Sequence, residues 1–213
     1  MVARDFAAVP IGSTLIRNEP VQARSTARLT ALMDAAAAVI DRIGYERLTT
    51  AMVADGAGAS IGTVYRYFPD RIAVLQALAA RNYARLLERL VAELDAGGYS
   101  NVHDARQALF DVFVQMFRSE PGFRSLRVGD LLDLRPAAEE ETSYGRLAAA
   151  MLDEYTRRFQ LSVNDDGRFA FNAAIEVTDA LVARAFARDD KGDERYLEQG
   201  RAIMNSLLEP YFD

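Results

Sequence analysis

From Val21 onward, apolar residues recur at helical spacing along almost the whole chain. Leu29, Leu32, Ala36, Val39, Ile40 and Ile43 fall every three or four positions, one buried stripe on a helix that Gly44 stops. Thr49 and Thr50 offer an N-cap to the short segment AMVADGA. Ser60 can cap a second short helix, which must end near Phe68 because Pro69 follows. Pro69-Asp70 then opens a longer helix with Ile72, Leu75, Leu78, Leu86 and Leu90 on its apolar side, closed by Gly97-Gly98.

The remainder repeats the pattern at greater length. Asn101 to Ser119 is amphipathic, with Val102, Leu109, Phe113, Met116 and Phe117 on one side, and halts at Glu120-Pro121-Gly122. A short piece from Phe123 to Leu134 precedes Pro136, and Ala137 to about Leu161 forms the next helix. Asn164-Asp165-Asp166-Gly167 breaks the chain before a helix over Arg168–Ala187, and Asp193–Glu209 is the last. No segment alternates as a strand does, so the predicted fold is all-α with about nine helices. Its expected parts are an arm over residues 1–20, a three-helix domain over 21–71 and a larger helical domain over 72–213.

Composition removes several classes of function. The 213 residues include no cysteine, which excludes disulfides, thiolate zinc sites and a cysteine nucleophile. The single histidine, His103, excludes a multi-histidine metal site, and no cofactor or metal is expected. The net charge of −6 is unevenly spread: residues 21–71 carry six arginines against five carboxylates, while residues 72–213 carry 17 basic against 24 acidic groups. A nucleic-acid partner would thus be held by placed contacts rather than bulk charge. The first twenty residues, with Pro10, Gly12 and Pro20 and no long apolar run, read as a mobile arm rather than a signal peptide or membrane span; an arm whose Arg4 and Arg17 touch DNA is the alternative, with no residue pattern supporting it. The expected setting is the cytoplasm, with no membrane partner.

The stretch GAGASIGTVYRYF, residues 56–68, admits three chemistries. Gly58-Ala59-Ser60-Ile61-Gly62 satisfies the G-x-S-x-G pattern of a hydrolase nucleophile elbow, but that elbow needs a strand before Ser60, a long helix after it and a histidine base. A dinucleotide loop fails because Ile61 stands where the third glycine is required. A helix-turn-helix accounts for more: two short helices, a tight turn with Gly58 where a left-handed backbone is needed, and Ser60 capping the second helix. Projected at 100° per residue, Val64 and Phe68, with Ile61 nearby, face the core. Gly62, Thr63 and Arg66 lie opposite, and Tyr65 and Tyr67 fall on the flanks, their hydroxyls towards the phosphates of a groove. Arg24 and Arg28 sit at the start of the first long helix, electrostatically the wrong end for cations unless a phosphate partner faces them.

Over some twenty positions, LTTAMVADGAGASIGTVYRYFPDR resembles the N-terminal domain of the tetracycline-repressor (TetR) family of bacterial transcription regulators. The resemblance covers roughly residues 22–75; beyond it only the helical architecture agrees. It implies phosphate contacts from Thr50, Tyr65 and Tyr67, with Ser60 at the helix start and Thr63 near the groove. Arg71 stands where the family usually has lysine, which keeps the charge with different geometry. The resemblance also implies base contacts from the position of Ile61 and, less often, that of Ala51; both are apolar here, suited to thymine methyls but not to bidentate hydrogen bonds. Arg66 is then the best hydrogen-bonding reader, and Gly62 lets the helix approach closely.

No catalytic constellation follows residue 75, so no enzyme is expected. Glu139-Glu140-Glu141 suits a helix start, and Asn164–Gly167 lacks the first and bidentate ligands of a calcium loop. The resemblance implies an apolar cavity for a small ligand, for which Phe110, Phe113, Phe117, Phe123, Tyr144, Met151 and Tyr155 are candidates, with Asp130 and Asp133 adding polarity. It also implies a homodimer through the last two helices, where Ile175, Thr178, Leu181, Val182, Ala185 and Phe186, then Ile203, Met204, Leu207 and Leu208, form broad stripes. The expected function is a regulator, most simply a repressor, released from a palindromic double-stranded operator by a small apolar or amphipathic molecule. An all-helical interaction protein with a non-functional DNA module and a hydrolase using Ser60 are the alternatives.

Overall fold

The structure, a computed structural model, describes residues 23–126 and 143–212. The expected arm, the piece from residue 127 to Leu134 with Asp130 and Asp133, and Glu139–Glu141 lie outside the described residues. Among the described residues there are eight α-helices and no strand: α1 (Ala23–Ile43), α2 (Thr50–Gly56), α3 (Ile61–Tyr67), α4 (Arg71–Ala96), α5 (Val102–Ser119), α6 (Ser143–Phe159), α7 (Asp165–Phe186) and α8 (Glu194–Phe212). A 3-10 turn, Tyr45–Arg47, stands between α1 and α2. The described residues form two compact units: residues 23–85 with 120–126, and residues 86–119 with 143–212.

Local chemistry sets the helix ends in the first unit. Gly44 adopts φ +81°, Thr49 accepts from the Met52 amide at 3.2 Å, and Asp70 accepts from the Ala73 amide at 2.8 Å. The core is built from Leu32, Ala36, Val39 and Ile40 of α1, Val53 and Ala54 of α2, Val64, Tyr67 and Phe68, and Val74, Leu75 and Leu78 of α4. Small residues let α1 and α2 approach: a methyl on Gly56 would stand 3.1 Å from Ala35 Cβ. The segment from Glu120 to Leu126 joins this unit. Its Gly122 amide donates to Asp41 at 2.7 Å, Asn82 donates to the Leu126 carbonyl at 3.0 Å, and Glu120 pairs with Arg85. Arg81 pairs with Asp34 at 2.6 Å, while burial and the neighbouring Arg85 pull its pKa down.

In the second unit α7 packs along α8, with α5 and α6 against them. Asn164–Gly167 is not a break: Asn164 caps α7 by accepting from the Gly167 amide at 2.8 Å, and Asp165 and Asp166 occupy its first turn. Carboxylates there favour the helix, so α7 starts three residues earlier than the sequence pattern predicts. Aromatic rings interlock through the core: Phe117 stacks on Phe186 at 5.3 Å, and Phe171 lies edge-on to Tyr155 at 5.7 Å and against Phe212 at 5.6 Å. Glu154, buried on α6, is held by Arg157 and Arg158. Burial alone would raise its pKa, but the hydrogen bonds and charges of the two arginines outweigh it and the net direction is down.

Candidate nucleic-acid interface

Helices α2 and α3 are joined by Ala57-Gly58-Ala59, with Gly58 at φ +57°, the left-handed conformation that a side chain would strain. The Ala57 amide returns to Val53 at 3.1 Å and the Ala59 amide to Ala54 at 2.9 Å, closing the turn. Ser60 caps α3 by accepting from the Thr63 amide at 3.1 Å, and its Oγ lies 2.9 Å from Thr63 Oγ1. Its hydroxyl is thus committed to the helix start, the role of a cap rather than of a nucleophile.

The two faces of α3 are sharply different. Val64, Tyr67 and Phe68 are buried. Ile61, Gly62, Tyr65 and Arg66 are exposed, and Thr63 is half-buried. Ala51 and Met52 of α2 are exposed too, and half-buried Thr50 donates through Oγ1 to the Tyr65 hydroxyl at 3.4 Å. Arg24 and Arg28 are exposed on the first turns of α1, and the first turn holds no carboxylate to offset them. Half-buried Arg71 donates through one nitrogen to the carbonyls of Tyr45 and Glu46 at 3.3 and 2.8 Å, so it also holds the 3-10 turn in place.

Two expectations are corrected. Ile61 does not face the core: it is 43% exposed, because as the first residue of α3 it precedes the turn that packs inward. Tyr67 does not reach outward from a flank: it is 2% exposed, and its hydroxyl lies 2.9 Å from Ser25 Oγ on α1. An ideal wheel treats the flanks alike, but α1 covers only one of them. The Tyr67–Ser25 pair has no sequence signal, since the partners stand 42 residues apart.

The predicted ligand residues do not gather in one described cavity. Phe110, Phe117, Met151 and Tyr155 are buried in the second unit and Phe113 is half-buried, whereas Phe123 belongs to the first unit; the Tyr144 side chain lies outside the described residues. A cleft of about 530 Å³ between α4 and α5 is lined instead by Arg89, Ala92, Glu93, Ala108, Asp111, Val112 and Gln115. Periodicity did not single out Arg106, buried on α5, which donates to Asn205 at 3.0 Å. Burial raises the pKa of Tyr155, and the charge of Arg106 opposes that rise. The predicted dimer stripes also divide. Thr178, Val182, Ala185, Phe186, Met204 and Leu208 are buried within the single chain, because α7 and α8 pack on each other, while Ile175, Leu181, Ile203 and Leu207 stay half-buried.

A capped pair of short helices with one buried and one open face, beside the positive end of a longer helix, defines a helix-turn-helix DNA-binding regulator. The family comparison agrees. Residues 32–78 match the model for bacterial regulatory proteins of the tetR family, and residues 100–212 match the tetracyclin repressor-like C-terminal domain. The chain belongs to the TetR family. A TetR-family transcriptional regulator from Streptomyces coelicolor is 32% identical, with a TM-score of 0.74 over 89% of this chain and 100% of that one. The nucleoid occlusion factor SlmA of Haemophilus influenzae is 32% identical over 91 residues, 42% of this chain and 40% of SlmA. The HTH-type transcriptional repressor KstR of Mycobacterium tuberculosis is 36% identical over 55 residues, 26% of this chain and 25% of KstR. The chain therefore aligns with less than half the length of these two curated relatives.

Proposed function

We infer that this regulator is a homodimeric repressor that binds a palindromic operator in the cytoplasm and leaves it when a small apolar or amphipathic molecule binds the larger domain. The observation that carries the DNA half is the open face of α3, where Ile61, Gly62, Tyr65 and Arg66 are exposed while Val64 and Phe68 are buried. In this reading Arg28, Thr50 and Tyr65 hold phosphates, Thr63 approaches the groove wall, and Ala51, Ile61 and Arg66 meet base edges across Gly62. Two such helices would enter successive major grooves about 34 Å apart. The half-buried Ile175, Leu181, Ile203 and Leu207 are the side chains left to join two copies. Release requires that the ligand prefer a spacing that no longer matches the operator, a coupling of about 1–3 kcal/mol.

Selection of genomic fragments by the purified protein, followed by a salt titration of the best one, tests this reading. A palindromic site whose affinity falls steeply with salt supports it. Binding to no fragment by an intact dimer favours an interaction module whose DNA domain has lost its function.

A further inference from the structure

The end of the recognition helix is tied to the start of α1 by one side chain. Tyr67 Oη lies 2.9 Å from Ser25 Oγ and donates to the Ser25 carbonyl at 3.4 Å. The guanidinium of Arg66 stands 5.3 Å from the centroid of the same ring. Ser25 lies between Arg24 and Arg28, both exposed, and among the described residues neither has a side-chain hydrogen bond or ion pair with another part of the protein. The two cations are four residues apart, repel along one helix face, and sit at the helix end whose dipole is already positive. Helix ends fray, and the charges of Arg24 and Arg28 oppose keeping this one wound. The hydroxyl of Tyr67 favours it.

We propose that Tyr67 is a positioning residue of the DNA interface: through Ser25 it fixes the first turn of α1, and with it Arg24 and Arg28, in register with the recognition helix. Tyr67 touches no DNA in this arrangement, because its ring is buried and its hydroxyl is already bonded. It sets where two phosphate-facing cations stand relative to the groove-facing Arg66, which packs on the same ring. The proposal rests on the DNA-binding reading above. A phenylalanine at position 67 would keep the buried ring and its contact with Arg66 and remove only the tether.

The test uses full-length Tyr67→Phe, Ser25→Ala, Ser25→Thr and Arg24→Ala/Arg28→Ala proteins on a palindromic duplex selected by the wild type. Kd is measured across about 50–200 mM salt, the range over which phosphate contacts reveal themselves. Tyr67→Phe and Ser25→Ala should each weaken binding roughly three- to tenfold, with Tyr67→Phe at the upper end because it removes both contacts to Ser25. Each should also flatten the plot of log affinity against log salt by about 0.9 for every phosphate that is no longer neutralised. Tyr67→Phe/Ser25→Ala should be no weaker than Tyr67→Phe alone, and neither change should add to Arg24→Ala/Arg28→Ala. Ser25→Thr, which keeps the hydroxyl, should keep the wild-type slope. Loss of mere structural support would lower the melting temperature and leave the slope alone, and that result overturns the proposal, as does a Tyr67→Phe protein with wild-type affinity and slope. A wild type that binds no duplex in a salt-dependent way overturns the DNA reading itself and this proposal with it.

Discussion

Ser60 and Thr63 hold each other at the start of the recognition helix: the Thr63 amide donates to Ser60 Oγ at 3.1 Å, and the two hydroxyl oxygens lie 2.9 Å apart. One residue thus holds a first-turn amide through its side chain as well as its carbonyl, which lies 2.9 Å from the same amide, and orients a side chain at the edge of the open face. Ser60→Ala should destabilise the protein by about 1 kcal/mol, as loss of an N-cap does, whereas Ser60→Asp should keep the cap. Thermal melting of the two variants checks this, and equal destabilisation by both would remove the capping role.

Gly62 separates folding from recognition. Among the described residues a methyl group there would meet only Ser60 Oγ at 3.8 Å, and Gly62 sits inside a helix. Gly62→Ala should therefore raise stability by roughly 0.5–1 kcal/mol while weakening operator binding, since the only surface the methyl can obstruct is one that approaches from outside. A variant more stable and equally tight on DNA would show that α3 does not approach a groove through Gly62.

Arg71 joins the start of α4 to the 3-10 turn through the Tyr45 and Glu46 carbonyls. Its half-buried setting tempers the energy of those bonds, so Arg71→Ala should cost about 1 kcal/mol. Arg71→Lys should recover the charge but not the reach of the single guanidinium nitrogen that both carbonyls share. Amide hydrogen exchange at residues 45–48 should rise in both variants, and unchanged exchange would argue that the turn stands by itself.

Arg66 is the exposed cation on the groove side of α3. Arg66→Ala should lower operator affinity by roughly 1–3 kcal/mol and relax preference at one base pair of each half-site. Competition among operator variants measures both effects. A uniform loss at every sequence would make Arg66 a phosphate contact instead.

The second unit carries an acid-sensitive carboxylate. Glu154 is buried and its pKa is depressed by Arg157 and Arg158, so its charged form stabilises the folded state. That stability is fully present above the ordinary carboxylate pKa and is lost as pH falls through the depressed folded value. Glu154→Gln should be less stable than wild type at neutral pH, and the gap should narrow as the medium is acidified below about pH 4.5, the unfolded range. Parallel melts from pH 7 to pH 3 would show it, and a constant gap would remove Glu154 from the acid response.

The helices of the first unit, and the motif they make, are legible along the chain. Thr49, Gly58, Ser60 and Pro69 act on neighbours one to four residues away, so their effect on the backbone is written locally. The stripe from Leu32 to Ile40 likewise says which side of α1 is buried. Tertiary structure alone decided which flank of α3 is covered, and so why Tyr65 is open while Tyr67 is closed against Ser25. It also decided that Val182 and Phe186 are already packed within one chain, and that Arg106 is buried beside Asn205 although 99 residues separate them. Periodicity records that a face is apolar but carries no information about which surface covers it. That choice is made only when distant segments compete to exclude the same water.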